Sequence, residues 1–149
     1  MSEAEPVAVA VLAGSKSDQS VVEDVVRTLA ELGISHHTKY ISAHRNPEGL
    51  REYLSNSKAQ IFIGVAGLAA HLPGVIASQT VRPVIGVPVG VKLEGLDSLL
   101  SEMQMPPGIP VATVGVDNGR NAAILAAEIL AIEDKAVLVK LNSMRKSWK

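Results

Sequence analysis

The chain of 149 residues contains no cysteine. That absence excludes a disulfide framework, thiolate metal ligands and a cysteine nucleophile, and it fits a reducing compartment, so we expect a cytoplasmic protein. Aromatic residues make up only 3% of the chain. A site built on stacked rings, as in a flavin carrier or a single-strand binding protein, is therefore disfavoured.

The sequence also lacks an excess of either charge. It has 14 basic and 15 acidic residues, for a formal net charge of -1. Nothing in this balance indicates a nucleic-acid surface, so a small anionic ligand would have to be held by local groups. No apolar run reaches the length that a bilayer requires, so we expect no membrane partner.

What the chain does contain is a set of short apolar runs separated by segments with helical spacing. Apolar residues reach 47%, mostly Ala, Val, Leu and Ile. The runs predict strands at 7–13, 36–41, 60–66, 84–89 and 111–116, and the segments between them predict helices at 21–32, 47–55, up to 80, from 99 and at 122–132. A last helix is expected over 134–149. This alternation predicts a single α/β domain over 1–149, a three-layer α/β/α sandwich with a flavodoxin-like doubly wound parallel sheet and a C-terminal helix.

The polar segments follow the predicted strands. They occupy 14–18, 42–45, 66–71 and 90–98, after the first four strands in turn. Ligands of doubly wound sheets bind outside the carboxyl ends of the strands, where the strand order reverses. We therefore expect one edge of the sheet to collect these four turns into a site.

The second turn carries the strongest chemistry. His44 and Arg45 follow Ser42 and precede Pro47, which can open a helix. Arginine presents a planar fork of donors to phosphate or carboxylate, and histidine exchanges protons near neutral pH. Taken alone, the same residues also fit a solvated loop with a surface histidine.

The first and third turns would complete the site. Gly14 to Asp18 leads into a helix, whose free N–H groups suit a phosphate, although the sequence fits neither a Walker loop nor a dinucleotide fingerprint. The third turn places His71 among small residues, which let a ligand approach the backbone. A capping role for Ser17 or Asp18 and a packing role for His71 are the alternatives.

Proton transfer is the chemistry that these residues favour. No carboxylate shares a metal-ligand spacing with His44 or His71, so we expect no metal and no cofactor. A non-catalytic phosphosugar-binding module would need Arg45 and the serines but not His44. A receiver-type signalling domain is disfavoured, because Ala66 and Gly67 stand where its aspartate would be.

Five ordered motifs resemble the PurE family, the N5-carboxyaminoimidazole ribonucleotide mutases of purine biosynthesis. They are Gly14-Ser-Lys-Ser-Asp18, Ser42-Ala-His-Arg45, Ala69-Ala-His-Leu-Pro-Gly74, Gly95-Leu-Asp-Ser98 and Gln104-Met-Pro106. The resemblance runs from about Val7 to Leu130. It implies a homo-octamer with active sites at subunit contacts and a small nucleotide substrate.

The resemblance also implies residue roles. His44 would carry the proton at ring carbon 4, and the segment 67–72, including His71, would hold the migrating carboxyl group. The implied substrate-binding residues are Ser15, Ser17, Asp18, Ser42, Ala43, Arg45, Gly67, Ala70 and Leu72. Asp18 would bind the ribose hydroxyls, and Ser15, Ser17, Ser42 and Arg45 would bind the phosphate and the ribose side.

The chain departs from the family pattern at three places. Gln19 stands where many bacterial members have tryptophan, Leu68 where glycine is common, and Gly90-Val91 where a polar pair is usual. A related branch that carboxylates aminoimidazole ribonucleotide directly carries Arg-Ser-Asn-like residues in the third turn, so the sequence favours the mutase. The methionine- and proline-rich loop 103–110 and the apolar stripe of the last helix predict an obligate oligomer.

Overall fold

The structure is a computed structural model that describes residues 6–149, so the first five residues of the predicted domain lie outside it. The strands are β1 (Val9–Ala13), β2 (His36–Tyr40), β3 (Ile61–Gly67), β4 (Val84–Val89) and β5 (Ala112–Thr113). The helices are α1 (Gln19–Glu31), α2 (Pro47–Asn56), α3 (Leu72–Ala77), α4 (Leu96–Met103), α5 (Gly119–Leu130) and α6 (Lys135–Lys146). Single 3-10 turns precede α1 and α4, at Lys16–Asp18 and Leu93–Gly95.

The five strands form one parallel sheet in the order β2-β1-β3-β4-β5. Val9 at the start of β1 lies opposite both His36 and Ile61. The first strand, β1, therefore lies inside the sheet. The chain then moves outward to β2 and returns past β1 to β3. This reversal between β1 and β3 is the switch point of a doubly wound sheet, which confirms the predicted fold class.

Alternate residues of each strand face two separate apolar layers. Val9 and Val11 of β1 pack with buried residues of α1, α5 and α6. Ala10 and Leu12 pack on the opposite face with α2 and α3. Helix α4 lies on that second face, against β4. The sheet is buried on both sides, which confirms the three-layer sandwich and explains why its strands appear as continuous apolar runs.

Short polar residues fix the starts of several helices. The Asn46 side chain accepts a hydrogen bond from the Gly49 amide at 3.0 Å, just before Pro47 at the first helical position. Asn118 caps α5 in the same way, by accepting a hydrogen bond from the Asn121 amide at 3.0 Å. Asp18 occupies the cap position of α1, but its side chain makes no cap hydrogen bond.

Several predicted boundaries differ from the structure, including the start of α5, which lies at Gly119 and not at 122. β5 has two residues instead of six, because it is an edge strand with one neighbour and the chain turns away at Asp117, whose φ is 56°. The helix after β4 begins at Leu96, three residues earlier than predicted, since Gly95 adopts a φ of 82° and redirects the chain. The helix after β3 ends at Ala77. The predicted C-terminal helix is present as α6, and no helix within residues 6–149 is long and apolar enough to cross a membrane.

Candidate active site

Four loops meet in one cavity of about 490 Å³ at the carboxyl edge of the sheet. Three of them follow β1, β2 and β3, on either side of the switch point, and the fourth follows β4. The lining residues are Gly14, Ser15, Ser17, Asp18, Ser42, Ala43, His44, Arg45, Ala66, Gly67, Leu68, Ala69, His71, Leu72 and Val91. The structure therefore brings together every predicted site residue except Ala70.

The loop after β1 is held by its own serine. The Ser15 hydroxyl accepts a hydrogen bond from the Ser17 amide at 3.2 Å, and the Ser15 carbonyl accepts one from the Asp18 amide at 3.2 Å. Asp18 is only 6% exposed. Burial raises the pKa of its carboxyl group, while hydrogen bonds from the Ser15 backbone and the Ser17 side chain act in the opposite direction. Asp18 is thus a fixed acceptor at the start of α1.

The loop after β2 is tied to the loop after β1 through Arg45. Its guanidinium donates a hydrogen bond to the Gly14 carbonyl at 2.9 Å, and its backbone amide donates one to the Ser42 hydroxyl at 3.2 Å. The guanidinium has five N–H donors in a fixed plane. The contact to Gly14 fixes that plane beside the serines, where an anion could bind in the fork.

His44 and His71 form a direct pair across the cavity. His44 Nε2 lies 2.7 Å from His71 Nδ1, and the two ring centroids are 4.8 Å apart with an interplanar angle of 80°. In such a hydrogen bond one nitrogen donates and the other accepts, so at least one of the two rings is neutral. Both side chains are solvent-exposed in the single chain. The pair can therefore take up a proton or release one at a ligand bound beside it.

The loop after β3 forms the base of the cavity. Leu68 adopts a φ of 57°, in the left-handed region that favours glycine. This turn leads to His71, whose amide donates to the Ala69 carbonyl at 2.8 Å, and His71 is the residue before α3. Ala70 is 1% exposed and belongs to the apolar layer beneath the cavity. Its side chain supports the wall and does not line it.

Sequence reasoning missed Val91 as a lining residue. A Cβ atom built on Gly67 would lie 2.7 Å from Val91 Cγ2, so the valine packs directly on the end of β3. The available signal was position, since Val91 follows the fourth strand by two residues. Val91 was not predicted to line the site because it is apolar, where the resemblance led us to expect a polar pair.

The cavity has no evident metal set. Across residues 6–149, no group of three or more His, Asp or Glu side chains could hold a metal ion. The site therefore combines hydrogen-bond donors for an anion, one buried carboxyl group and two adjacent imidazoles. The expectation of a metal-free reaction remains a prediction.

The fold and the cavity define a class of protein: a doubly wound parallel α/β protein with an anion-binding turn and an acid-base pair at its switch point. The chain belongs to the AIR carboxylase family, whose model matches residues 8–149. This match covers all five predicted motifs.

The chain is also similar to individual proteins of known name and to solved structures. It is 55% identical to the N5-carboxyaminoimidazole ribonucleotide mutase of Methanocaldococcus jannaschii over 95% of this chain and 90% of that one. It is 50% identical to the Pyrococcus horikoshii protein of that name, over 95% and 82% of the two chains. A crystal structure of a Treponema denticola PurE2 variant superimposes with a TM-score of 0.86 at 28% identity, covering 93% of this chain and 89% of that one.

Proposed function

We propose that the protein is an N5-carboxyaminoimidazole ribonucleotide (N5-CAIR) mutase, which converts N5-CAIR into 4-carboxy-5-aminoimidazole ribonucleotide (CAIR) in purine biosynthesis. The observation that carries this proposal is the His44–His71 pair, with 2.7 Å between ring nitrogens, in a cavity that also contains the serines and Arg45. Relatives at 55% and 50% identity bear the name of this activity.

The phosphosugar part of the substrate would bind at the loops after β1 and β2. Ser15, Ser17 and Ser42 offer hydroxyl donors, and Arg45 offers a bidentate fork for phosphate oxygens. Asp18, buried at the start of α1, would accept hydrogen bonds from the ribose hydroxyls. Binding of this non-reacting part fixes the imidazole ring beside the histidines, which lowers the entropic cost of the reaction.

The reaction requires one carbon–nitrogen bond to break, one carbon–carbon bond to form and two proton transfers. The carbamate C–N bond breaks, the nitrogen keeps the electron pair and takes a proton from the imidazole pair, and carbon dioxide is released beside the ring. Ring carbon 4 then attacks carbon dioxide, and the proton that it carries passes to an imidazole. We assign that proton to His44, while His71, bonded to it, can relay the proton and can hold the carboxyl group together with the small residues 67–72.

Replacing His44 tests the assignment. We expect His44→Asn to abolish turnover while leaving phosphosugar binding largely intact, because the asparagine keeps polar atoms near His71 but cannot exchange protons near neutral pH. Turnover is followed as conversion of N5-CAIR to CAIR, and binding is measured by calorimetry with CAIR. A near-native rate for this variant would show that the proton carrier has been misassigned.

Assays of the same purified protein distinguish the mutase from two alternative functions. A direct carboxylase would make CAIR from aminoimidazole ribonucleotide (AIR) and bicarbonate faster than from N5-CAIR, so each substrate is supplied in a separate reaction. A non-catalytic phosphosugar-binding module would bind CAIR and turn over neither. The Leu68-to-His71 sequence of the third turn favours the mutase over the carboxylase.

We further propose that the domain of 149 residues assembles as a homo-octamer in the cytoplasm. The single chain leaves both imidazoles exposed, whereas the reaction needs carbon dioxide to be retained. An apolar surface that begins two residues after Val91 supports association with a second copy. It is formed by Leu93, Leu96, Leu100 and Met103, each more than 40% exposed. Light scattering at micromolar concentration tests the assembly, and a monomer would contradict it.

A further inference from the structure

One wall of the cavity, at the ends of β3 and β4, is an apolar contact. Val91 Cγ2 lies so close to Gly67 that a Cβ on the glycine would meet it at 2.7 Å. Gly67 ends β3, where it lies opposite Val89 of β4. The valine, 51% exposed in the single chain, therefore packs on the backbone at the start of the segment assigned to the migrating carboxyl group, and its methyl groups offer no hydrogen bond that would attract water.

A single residue from another loop fixes the segment that carries Val91. The Asp117 carboxylate accepts a hydrogen bond from the Gly90 amide at 2.9 Å. The Asp117 amide donates to the Pro88 carbonyl at 2.8 Å. These two bonds bracket Val89 and join the end of β4 to the turn after β5, so Gly90 and Val91 leave the strand in one direction.

The backbone of Asp117 indicates that its side chain is needed. Its φ of 56° lies in the left-handed region, which is unfavourable for most residues other than glycine. Glycine would adopt this conformation without that cost but would leave the Gly90 amide without its carboxylate acceptor. The Asp117 carboxylate also packs closely on Gly90, since a Cβ on Gly90 would lie 3.0 Å from Asp117 Oδ2. Aspartate therefore satisfies both the turn and the amide.

We propose that Asp117 is a positioning residue that holds Val91 over Gly67, so that this apolar wall retains carbon dioxide between the two steps. The inference rests on the proposed mutase function. When the wall is in place, carbon dioxide released from the carbamate is captured by ring carbon 4 and CAIR is formed. When it is displaced, carbon dioxide escapes to water and AIR is released. The ratio of AIR to CAIR therefore measures how well the wall retains carbon dioxide.

Two substitutions at Asp117 separate the hydrogen bond from the backbone conformation. Asparagine and glycine both tolerate a left-handed φ, but only asparagine retains an oxygen that can accept from the Gly90 amide. We expect Asp117→Asn to keep the wild-type AIR-to-CAIR ratio within about twofold, and Asp117→Gly to raise it by about tenfold, as loss of one hydrogen bond of about 1.4 kcal/mol allows. Decarboxylation without enzyme is subtracted in each case.

A change at the wall itself keeps the test independent of how Asp117→Gly folds. Val91→Ala shortens the side chain over Gly67 without altering the Asp117 contacts and should raise the same ratio. A purely structural role would lower both products together and leave the ratio unchanged. An unchanged ratio in folded Asp117→Gly or in Val91→Ala overturns the inference. A wild-type protein that does not convert N5-CAIR overturns the proposed function instead.

Discussion

Glu102 places a carboxyl group with no exposed surface between α4 and β4. Its Oε2 lies where a Cβ on Gly86 would meet it at 2.5 Å, with the Val111 side chain next to it. Among the described residues neither carboxyl oxygen has a hydrogen-bond partner. Burial raises the pKa of Glu102 to about 9, so the group is held as a neutral acid at pH 7.

This raised pKa predicts how stability depends on pH. From about pH 4.5 to about 9 the unfolded chain has released a proton that the folded chain keeps, so the free energy of unfolding should fall as pH rises through that window. The slope is up to about 1.4 kcal/mol per pH unit. Glu102→Gln should remove it, as measured by urea unfolding at about pH 5 and about pH 8. Glu133→Gln, at an exposed position, is the control and should retain the slope.

The His44–His71 pair shows what could be predicted at this scale. The sequence placed His44 and His71 after two parallel strands, β2 and β3, whose carboxyl ends lie at the same edge of the sheet on either side of β1. It could not give the 2.7 Å contact between Nε2 and Nδ1, because that depends on the side-chain conformations and on the left-handed turn at Leu68. Local sequence could not indicate the bond between Asp117 and Gly90 either, since it joins positions 27 residues apart.

At the scale of elements, apolar continuity predicted the central strands well and the edge strand poorly. Strand β4 matches its predicted range because it is buried on both faces. The run 111–116 looks similar in sequence, but only Ala112 and Thr113 pair with β4. The hydrogen bond from the Asp117 amide to Pro88 then turns the chain, and that long-range contact leaves no local pattern.

The packing of α1 against α5 depends on one glycine at the start of α5. A Cβ on Gly119 would lie 2.6 Å from the Val21 carbonyl oxygen, which belongs to the backbone and cannot rotate away. We expect Gly119→Ala to lower the free energy of unfolding by about 1–3 kcal/mol, by forcing the helices apart. Gly115→Ala is the matched control, since its nearest neighbour is 3.7 Å away. Equal urea midpoints for the two variants would contradict this account.

At the scale of the whole molecule, the surface on α4 makes a prediction about assembly. Leu96 and Leu100 are 55% and 43% exposed in the single chain, so charging them should not disturb its core. We expect the Leu96→Glu/Leu100→Glu double variant to reduce the mass measured by light scattering to about half or less, because it places carboxylates in an apolar contact. Gln79→Glu, which adds charge at another exposed position, should keep the native mass. If the double variant keeps the native mass, this surface is not a contact between subunits.

The parallel sheet also decides how the chain can be made. No two neighbouring strands are joined by a tight hairpin, and Val9 must find His36 on one side and Ile61 on the other. During synthesis, β1 therefore has an unpaired edge until the ribosome has released β3. We expect slow folding that is limited by the closure of long loops. The N-terminal third of the nascent chain should be exposed to chaperones and to self-association until β1 and β3 have paired and the cavity at the switch point has formed.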